Sequence, residues 1–215
     1  MKMREMKDQH QTLITQAVKN VFGQDSWELV EVLTLGHSPS SIYKLKIDGR
    51  DYIAKFSDPN DPHNNLKREY HAQSNGVKNR VAPVVHYADP SVGIIIMDYV
   101  NSVVVLERAN QEQPMIEKVS QFVRRLHSCA SFQKGGSVYQ RVEFVHHQLP
   151  PDFQTSELVT LALQIKDEVK KKMIDKDDLR PCHCDIHPFN LLYDGNDFWL
   201  VDWAIAAQEN LALSH

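Results

Sequence analysis

The stretch from His183 to Trp203, HCDIHPFNLLYDGNDFWLVDW, constrains the fold of this chain more than any other segment. Asp185 and Asn190 stand in a loop, and a short apolar hairpin then leads to Asp202. Because a hairpin brings its two ends together, Asn190 and Asp202 should be neighbours at its open end. One carboxylate can then deprotonate a hydroxyl group, while the other carboxylate and the amide hold magnesium. This pattern suits a metal-assisted phosphoryl transfer.

The bulk composition is that of an ordinary globular protein. Of the 215 residues, 42% are hydrophobic, and the net charge of −4 gives no reason to expect a nucleic-acid partner. The three cysteines, an odd and low number, predict free thiols in a reducing compartment. The N-terminal residues MKMREMKDQH lack the apolar core of a signal peptide, and the longest apolar run, residues 94–97, is too short for a bilayer. We therefore expect a cytoplasmic protein without a membrane partner.

The first hundred residues are dominated by strand-like patterns. Apolar residues at helical spacing predict a helix over residues 10–22, and residues 63–75 read as a more polar helix ended by Gly76. Five segments are predicted to be strands: 27–35, 41–47, 51–56, 81–87 and 92–97. Residues 1–100 should therefore form an N-terminal lobe with a five-stranded antiparallel sheet.

The pattern changes after residue 101. Two amphipathic helices are predicted, over residues 114–128 and 156–174, and residues 131–154 between them should be irregular because they contain Gly-Gly and Pro-Pro pairs. The hairpin that follows consists of residues 190–193 and 198–203. We expect an α+β fold in which residues 101–215 form a mostly helical C-terminal lobe, with a ligand-binding cleft between the two lobes.

The motif residues resemble a known superfamily. HCDIHPFN matches the H-x-D-x-x-x-x-N catalytic loop of the kinase-like phosphotransferases, and VDW is similar to their metal-binding D-F-G or D-x-x element. Within the aminoglycoside phosphotransferase-like superfamily, PCHCDIHPFNLLYDGNDFWLVDW looks most like choline and ethanolamine kinases, and FVRRLHSCASF resembles their L-x-x-L-H-S segment. The resemblance implies a two-lobed, protein-kinase-like fold and the use of ATP and Mg²⁺.

The N-terminal half supplies the remaining parts of this resemblance. Residues 35–41 resemble a phosphate-covering loop, and YIAKF resembles the strand whose lysine contacts nucleotide phosphates. A glutamate on the next helix resembles the partner of that lysine, and IIMDYV is similar to the hinge that meets the adenine. The residues that the resemblance assigns to nucleotide binding are Gly36, Ser38, Ser40, Lys55, Glu69, Met97, Asp98 and Tyr99.

The resemblance and the chemistry together assign roles in the motif. Asp185 would orient the substrate hydroxyl group and accept its proton, and His183 would brace the catalytic loop. Asn190 and Asp202 would bind Mg²⁺. Lys55 would neutralise phosphate charge.

Simpler interpretations of the same residues exist. Lys55 could be an ordinary edge-strand lysine, Glu69 a surface charge of a helix, and Gly36 a turn glycine. The cysteines and histidines of residues 182–187 invite a zinc interpretation, but side chains one or two positions apart seldom converge on one tetrahedral ion.

Two departures from the family bear on the acceptor. Ala204 and Ile205 stand where the family has an acidic and an aromatic residue, and relatives continue beyond His215 with helices that complete the acceptor pocket. A small-molecule kinase for a choline- or ethanolamine-type alcohol is the favoured interpretation, with aminoglycoside or thiamine as other acceptors. The alternative is a truncated, catalytically weak nucleotide-binding protein, and a homo-oligomer could also complete the pocket.

Overall fold

The computed structural model describes residues 6–33, 40–61, 65–102, 113–134, 138–172 and 179–210. The helices are α1 (Asp8–Phe22), α2 (Leu66–Lys78), α3 (Gln113–His127), α4 (Val138–Gln148), α5 (Pro151–Gln154) and α6 (Glu157–Lys172). The strands are β1 (Glu28–Leu33), β2 (Ser41–Ile47), β3 (Arg50–Phe56), β4 (Val85–Asp89), β5 (Ile94–Asp98), β6 (Leu179–Cys182), β7 (Leu191–Tyr193), β8 (Phe198–Leu200) and β9 (Ala207–Asn210).

The first five strands form one antiparallel sheet in the order β1-β2-β3-β5-β4. Asp48 and Gly49 join β2 to β3, and both have positive φ (47° and 75°), as the tight turn of a right-twisted hairpin requires. The predicted α+β fold with a five-stranded antiparallel sheet is confirmed.

Helix α1 covers one face of this sheet. Its buried residues Ile14, Ala17 and Val18 pack against alternate residues of β2 and β3. Since side chains of a strand alternate between the two faces, Tyr52 and Ala54 point towards α1 and the intervening positions point away from it. The covered face therefore forms a hydrophobic core, and the opposite face is left for the candidate site.

A second core joins the sheet region to the motif. Residues of α2 and α3 pack there against the hairpin β7-β8 and against Trp203, which is fully buried. Gly76 in α2 allows the helix to lie close to Trp203, because a Cβ atom at this position would lie 2.8 Å from the Trp203 ring. This packing fixes the position of the motif relative to α2.

Strands β6 and β9 form a two-stranded sheet and flank the motif in the sequence. Strand β6 precedes it, strand β9 follows it, and the two are antiparallel with Cys182 opposite Ala207. The sequence patterns did not predict either strand.

Three predicted elements were wrong in detail. Residues 131–154 are not irregular throughout, because α4 and α5 lie within them. Helix α2 continues past Gly76, which lies inside it. Strand β8 ends at Leu200 and not at Trp203, because Asp202 adopts a left-handed backbone conformation (φ 64°) that a strand cannot contain. Among the described helices, none is long and apolar enough to cross a membrane.

Candidate active site

A buried ion cluster connects the sheet with the motif. The Lys55 ammonium group lies 2.7 Å from Glu69 Oε1 and 2.9 Å from Asp202 Oδ1. Lys55 comes from β3, Glu69 from the first turn of α2, and Asp202 from the segment after β8. The Lys55 and Glu69 side chains are only 7% and 1% exposed, whereas Asp202 is 35% exposed. One oxygen-rich side of the cluster is therefore open to a ligand.

The charges of the cluster stabilise one another. Burial disfavours the charged form of Lys55, but the charges of Glu69 and Asp202 outweigh it and raise the pKa of the ammonium group. Burial also opposes ionisation of Asp202, but the charge and hydrogen bond of Lys55 hold its pKa below the usual range. A positive charge and an adjacent carboxylate are thus fixed in place at neutral pH.

The Asp185 carboxylate is held by the amide of Asn190. The Asn190 Nδ2 group donates hydrogen bonds to Asp185 Oδ2 (3.0 Å) and to the Asp185 carbonyl oxygen (3.1 Å). Asn190 is buried, whereas the Asp185 side chain is 43% exposed. The Asn190 carbonyl accepts a hydrogen bond from the Val201 N–H, which places Asn190 beside the residue that precedes Asp202. The structure thus brings Asp185, Asn190 and Asp202 to one end of the hairpin.

His183 supports this loop from inside. Its Nε2 atom donates a hydrogen bond to the Val201 carbonyl oxygen (3.1 Å), and its ring contacts Trp203 edge-on at 4.8 Å between centroids. Burial lowers the pKa of His183 to about 4, so the ring is neutral near pH 7. A neutral, buried ring can orient the loop through its hydrogen bond without adding a charge beside the carboxylates.

Two backbone positions beside the carboxylates are left-handed. Cys184 has φ 65° and Asp202 has φ 64°, although neither is glycine. Such conformations cost of the order of 1 kcal/mol or more and persist where the surrounding structure imposes them. They turn the chain on each side of the hairpin, directly before Asp185 and at Asp202.

The predicted hinge lies at the end of β5. Met97 is buried, and its sulfur accepts a hydrogen bond from Gln73 Nε2 at 3.3 Å. The Asp98 carboxylate pairs with His86 Nε2 at 2.7 Å, and the Lys44 ammonium group lies 3.7 Å from the centre of the Tyr99 ring. These contacts hold the segment against β2 and β4.

The predicted phosphate loop, residues 35–41, lies partly outside the described residues. Gly36 and Ser38 lie outside the described residues. Ser40 directly precedes β2, and its hydroxyl oxygen lies 3.2 Å from that of Ser57. This contact places Ser40 at the end of β3 that follows Lys55.

Sequence reasoning missed two positioning contacts. The Arg68 Nη2 group donates a hydrogen bond to the Ala204 carbonyl oxygen (2.9 Å) and so ties α2 to the turn after Asp202. His187 Nε2 lies 3.6 Å from Asp185 Oδ2. The contact of Arg68 could have been suspected because Arg68 is adjacent to Glu69. The contact of His187 could have been suspected because His187 stands two residues after Asp185.

The donor atoms suit magnesium better than zinc. Within the described ranges, no group of three or more His, Cys, Asp or Glu residues is arranged to hold a metal ion. One carboxylate at Asp202 and one amide oxygen at Asn190 are hard oxygen donors, and Mg²⁺ commonly takes one or two protein oxygens together with phosphates and water. The Asn190 amide nitrogen is engaged with Asp185, so its oxygen is the atom that can face a cation.

Solved structures of other proteins share this fold. A choline kinase from Streptococcus pneumoniae superposes with a TM-score of 0.71 at 15% identity, covering 93% of this chain and 70% of that one. An ethanolamine kinase from Plasmodium vivax gives 0.69 at 13% identity, with 97% and 66% covered. A spectinomycin phosphotransferase gives 0.55 at 15% identity, with 96% and 71% covered. This chain is thus similar to about two thirds of each of these proteins.

Sequence comparison adds the family. A search of curated protein sequences found no match. The model of the phosphotransferase enzyme family APH matches residues 30–209, a range that holds the ion cluster, the hinge and the whole motif. With most of its length matched and its fold shared with the kinases above, this chain belongs to the phosphotransferase enzyme family.

Proposed function

We propose that this protein transfers the γ-phosphoryl group of ATP to a hydroxyl group of a small molecule in a Mg²⁺-dependent reaction. A choline- or ethanolamine-type alcohol is the favoured acceptor. The observation that carries the proposal is the Lys55 ammonium group held between Glu69 and Asp202, 2.7 and 2.9 Å away. A fixed cation next to a partly exposed carboxylate suits a site for phosphates and their metal ion.

Nucleotide binding is supported by the position of Lys55 between the hinge and the motif. Lys55 is paired with Ile95 in the register of β3 and β5, two residues before Met97, so the hinge and the phosphate-binding cation lie on neighbouring strands. Among the structural neighbours, the Streptococcus pneumoniae choline kinase has been solved with AMP and the spectinomycin phosphotransferase with ADP and spectinomycin.

Asn190 and Asp202 are the residues that would hold the metal ion. Bound Mg²⁺ would supply positive charge against the phosphate oxygens. Glu69 contributes indirectly, because its carboxylate fixes the Lys55 side chain in a single direction.

Asp185 is suited to act on the acceptor. Its carboxylate is partly exposed and is oriented by Asn190, so it can accept the proton of an incoming hydroxyl group as the oxygen attacks the γ-phosphorus. The bond from that oxygen to phosphorus forms while the bond from phosphorus to the ADP oxygen breaks. His183, neutral and buried, holds the loop and does not carry this proton.

Other acceptor molecules, and a function other than catalysis, are also compatible with the structure. The chain spans 70% and 66% of the lengths of the choline and ethanolamine kinases to which it is similar. Aminoglycosides and thiamine are alternative acceptors, and a catalytically weak nucleotide-binding protein is the alternative outside the enzyme class. A second copy of the chain could complete the pocket. The low cysteine count supports a cytoplasmic location.

A panel assay tests the proposal. Phosphorylation of choline, ethanolamine, thiamine and an aminoglycoside would be measured with Mg²⁺-ATP for the wild type and for Asp185→Asn. We expect the substitution to lower kcat for the accepted substrate by about 10²–10⁴-fold, the usual contribution of a general base. Asp152→Asn on exposed α5 is the matched control and should leave kcat unchanged. Equal background turnover for the wild type and Asp185→Asn would refute the proposed phosphotransferase activity.

A further inference from the structure

Lys44 lies on the same face of the sheet as Lys55. Its two neighbours in β2 belong to the core under α1, and because side chains alternate along a strand, Lys44 points to the opposite face. In the register of the sheet, Lys44 stands opposite Ile53 of β3, and Ile53 stands opposite Met97 of β5. Lys44 is therefore in one row with Met97 of the predicted hinge.

The Lys44 ammonium group contacts two other residues near the hinge. Its Nζ atom lies 2.9 Å from Asp51 Oδ2 and 3.7 Å from the centre of the Tyr99 ring. The hydrogen bond to Asp51 raises the pKa of the ammonium group, so it is charged at neutral pH. A cation over an aromatic face is attracted by the ring, and more strongly where water is partly excluded. Lys44 is thus a charged link between β3 and the hinge.

Backbone hydrogen bonds support the same link. The Tyr99 N–H group donates to the Asp51 carbonyl oxygen at 3.3 Å. Asp51 therefore holds Tyr99 directly through its backbone and indirectly through Lys44. On the other edge of the hinge, the Asp98 carboxylate pairs with His86 of β4. The backbone of the hinge is anchored on both sides, and Lys44 fixes the ring that extends from it.

The burial of Lys44 distinguishes it from an ordinary surface lysine. Its side chain is only 16% exposed, whereas Lys46, two residues later on the same face of β2, is exposed. A lysine normally keeps its ammonium group in water, so a shielded one depends on its carboxylate and its ring for compensation. Lys44 therefore ties its partners together in a way that Lys46 does not.

We propose that Lys44 is a positioning residue for nucleotide binding, which keeps the hinge in the conformation that receives the base. This inference rests on the proposed ATP-dependent function. Lys55 would meet the phosphates, whereas Lys44 acts through Tyr99. A segment that is ordered in advance binds more tightly, because the ligand does not have to order it. If loss of Lys44 leaves the hinge competent for only part of the time, the apparent Kd rises in proportion.

Calorimetric titration with Mg²⁺-ATP and with adenosine tests this role. Lys44→Met should raise the Kd of both ligands by about tenfold, as expected if about a tenth of the molecules then hold a competent hinge. Adenosine carries no phosphate, so an equal loss for both ligands separates positioning of the hinge from attraction between a lysine and phosphate charge. Lys46→Met removes the same charge from the same strand and face and is the matched control, with both Kd values unchanged.

Conservative variants test the contact itself. Lys44→Arg should keep both affinities near those of the wild type, because a guanidinium group also pairs with carboxylates and stacks on rings. Tyr99→Phe should keep them too, whereas Tyr99→Leu should weaken both ligands as much as Lys44→Met does, without any change of charge. Lys44→Met combined with Tyr99→Leu should be no weaker than either alone, because both remove one contact.

The possible failures are distinguishable. Denaturant unfolding would establish that each variant is folded. A wild type that binds ATP, with a Lys44→Met variant that binds ATP and adenosine equally well, would overturn the role of Lys44 and leave the proposed function standing. A loss confined to ATP, or a Tyr99→Leu variant with unchanged affinities, would also overturn it. A wild type that does not bind Mg²⁺-ATP would overturn the proposed function and this inference together.

Discussion

The two sides of the candidate site hold their charged groups in different ways. On the side proposed to bind the nucleotide, Lys55 and Glu69 are 7% and 1% exposed and form a closed ion pair that Asp202 completes. On the side proposed to meet the acceptor, Asp185 and His187 are 43% and 41% exposed, and Phe189 nearby is 74% exposed. The first side is ordered by burial, whereas the second faces solvent.

This difference in burial predicts where substitutions should cost stability. A buried ion pair tolerates few changes, because loss of one partner leaves an uncompensated charge. Exposed residues carry no such penalty, so substitutions at Asp185, His187 and Phe189 should cost little stability. The residues proposed for phosphoryl transfer therefore lie largely in the core, whereas those proposed to meet the acceptor lie at the surface.

Loss of Lys55 should have the largest effect. Lys55→Met leaves Glu69 buried without a counter-charge, so we expect the free energy of unfolding to fall by about 3–5 kcal/mol. Lys19→Met removes an exposed ion pair with Asp25 and should cost less than about 1 kcal/mol. Denaturant unfolding would measure both. Adding Glu69→Gln to Lys55→Met should recover part of the loss, and a single variant as stable as the wild type would contradict the role of the cluster.

Acid should destabilise the protein through His183. Its pKa is about 4 when folded and about 6.5 when unfolded, so below pH 6.5 the unfolded chain binds a proton that the folded chain does not. The free energy of unfolding should therefore fall by about 3 kcal/mol between pH 6.5 and pH 4 on account of this residue. The lowered pKa of Asp202 adds a loss only below pH about 4, its unfolded value.

His183→Gln isolates this contribution. Glutamine can still donate to the Val201 carbonyl oxygen but does not titrate. Chemical unfolding measured at several pH values should show a flatter dependence between pH 6.5 and pH 4 than in the wild type. An unchanged slope would mean that His183 is not the buried neutral group described above.

Gly76 should be the most sensitive point of the contact between α2 and the motif. Gly76→Ala would place a Cβ atom 2.8 Å from the Trp203 ring and 3.1 Å from Ala82 Cβ. Although alanine favours a helix, overpacking should dominate and lower the free energy of unfolding by about 1–3 kcal/mol. Ser74→Ala in the same helix is the control and should not destabilise the protein. A stabilised Gly76→Ala variant would show that Trp203 can move away.

The smallest effect should come from Cys184. Its left-handed backbone (φ 65°) suits asparagine better than cysteine, so Cys184→Asn should raise the free energy of unfolding by about 0.5 kcal/mol. Cys184→Ala keeps the strain and should not gain this stability. Thermal unfolding of both variants would measure the difference, and equal stability would show that the loop imposes no strain.

The sequence predicted the parts of the fold that periodic patterns encode. The five strands, α1, α3 and α6 follow from apolar spacing and were found to within a few residues. Strands β6 and β9 were missed because LRPC and AQEN show no alternation and pair only with each other, across the motif. Helix α4 was missed because it lies between Gly-Gly and Pro-Pro pairs.

For the candidate site, too, local sequence patterns predicted some contacts and missed others. Lys55 and Glu69 could be predicted as partners because a lysine in an apolar strand and an acid in the next helix fit a familiar motif. The contact of Lys55 with Asp202, 147 residues away, depends on how α2 and Trp203 pack together, which no local pattern reports. The hydrogen bond from Arg68 to the Ala204 carbonyl oxygen was not predicted for the same reason.

Binding of ATP with and without Mg²⁺ tests the proposed phosphoryl-transfer site most directly. It distinguishes the proposed metal-binding role of Asp202 from the proposed proton-accepting role of Asp185. At about 100 times its Kd, ATP with Mg²⁺ should raise the Tm of the wild type by about 5–10 °C, and by clearly less without the metal. Asp202→Asn should abolish the difference that Mg²⁺ makes, whereas Asp185→Asn should keep it and lose only phosphoryl transfer. A Mg²⁺ effect that persists in Asp202→Asn would contradict the account.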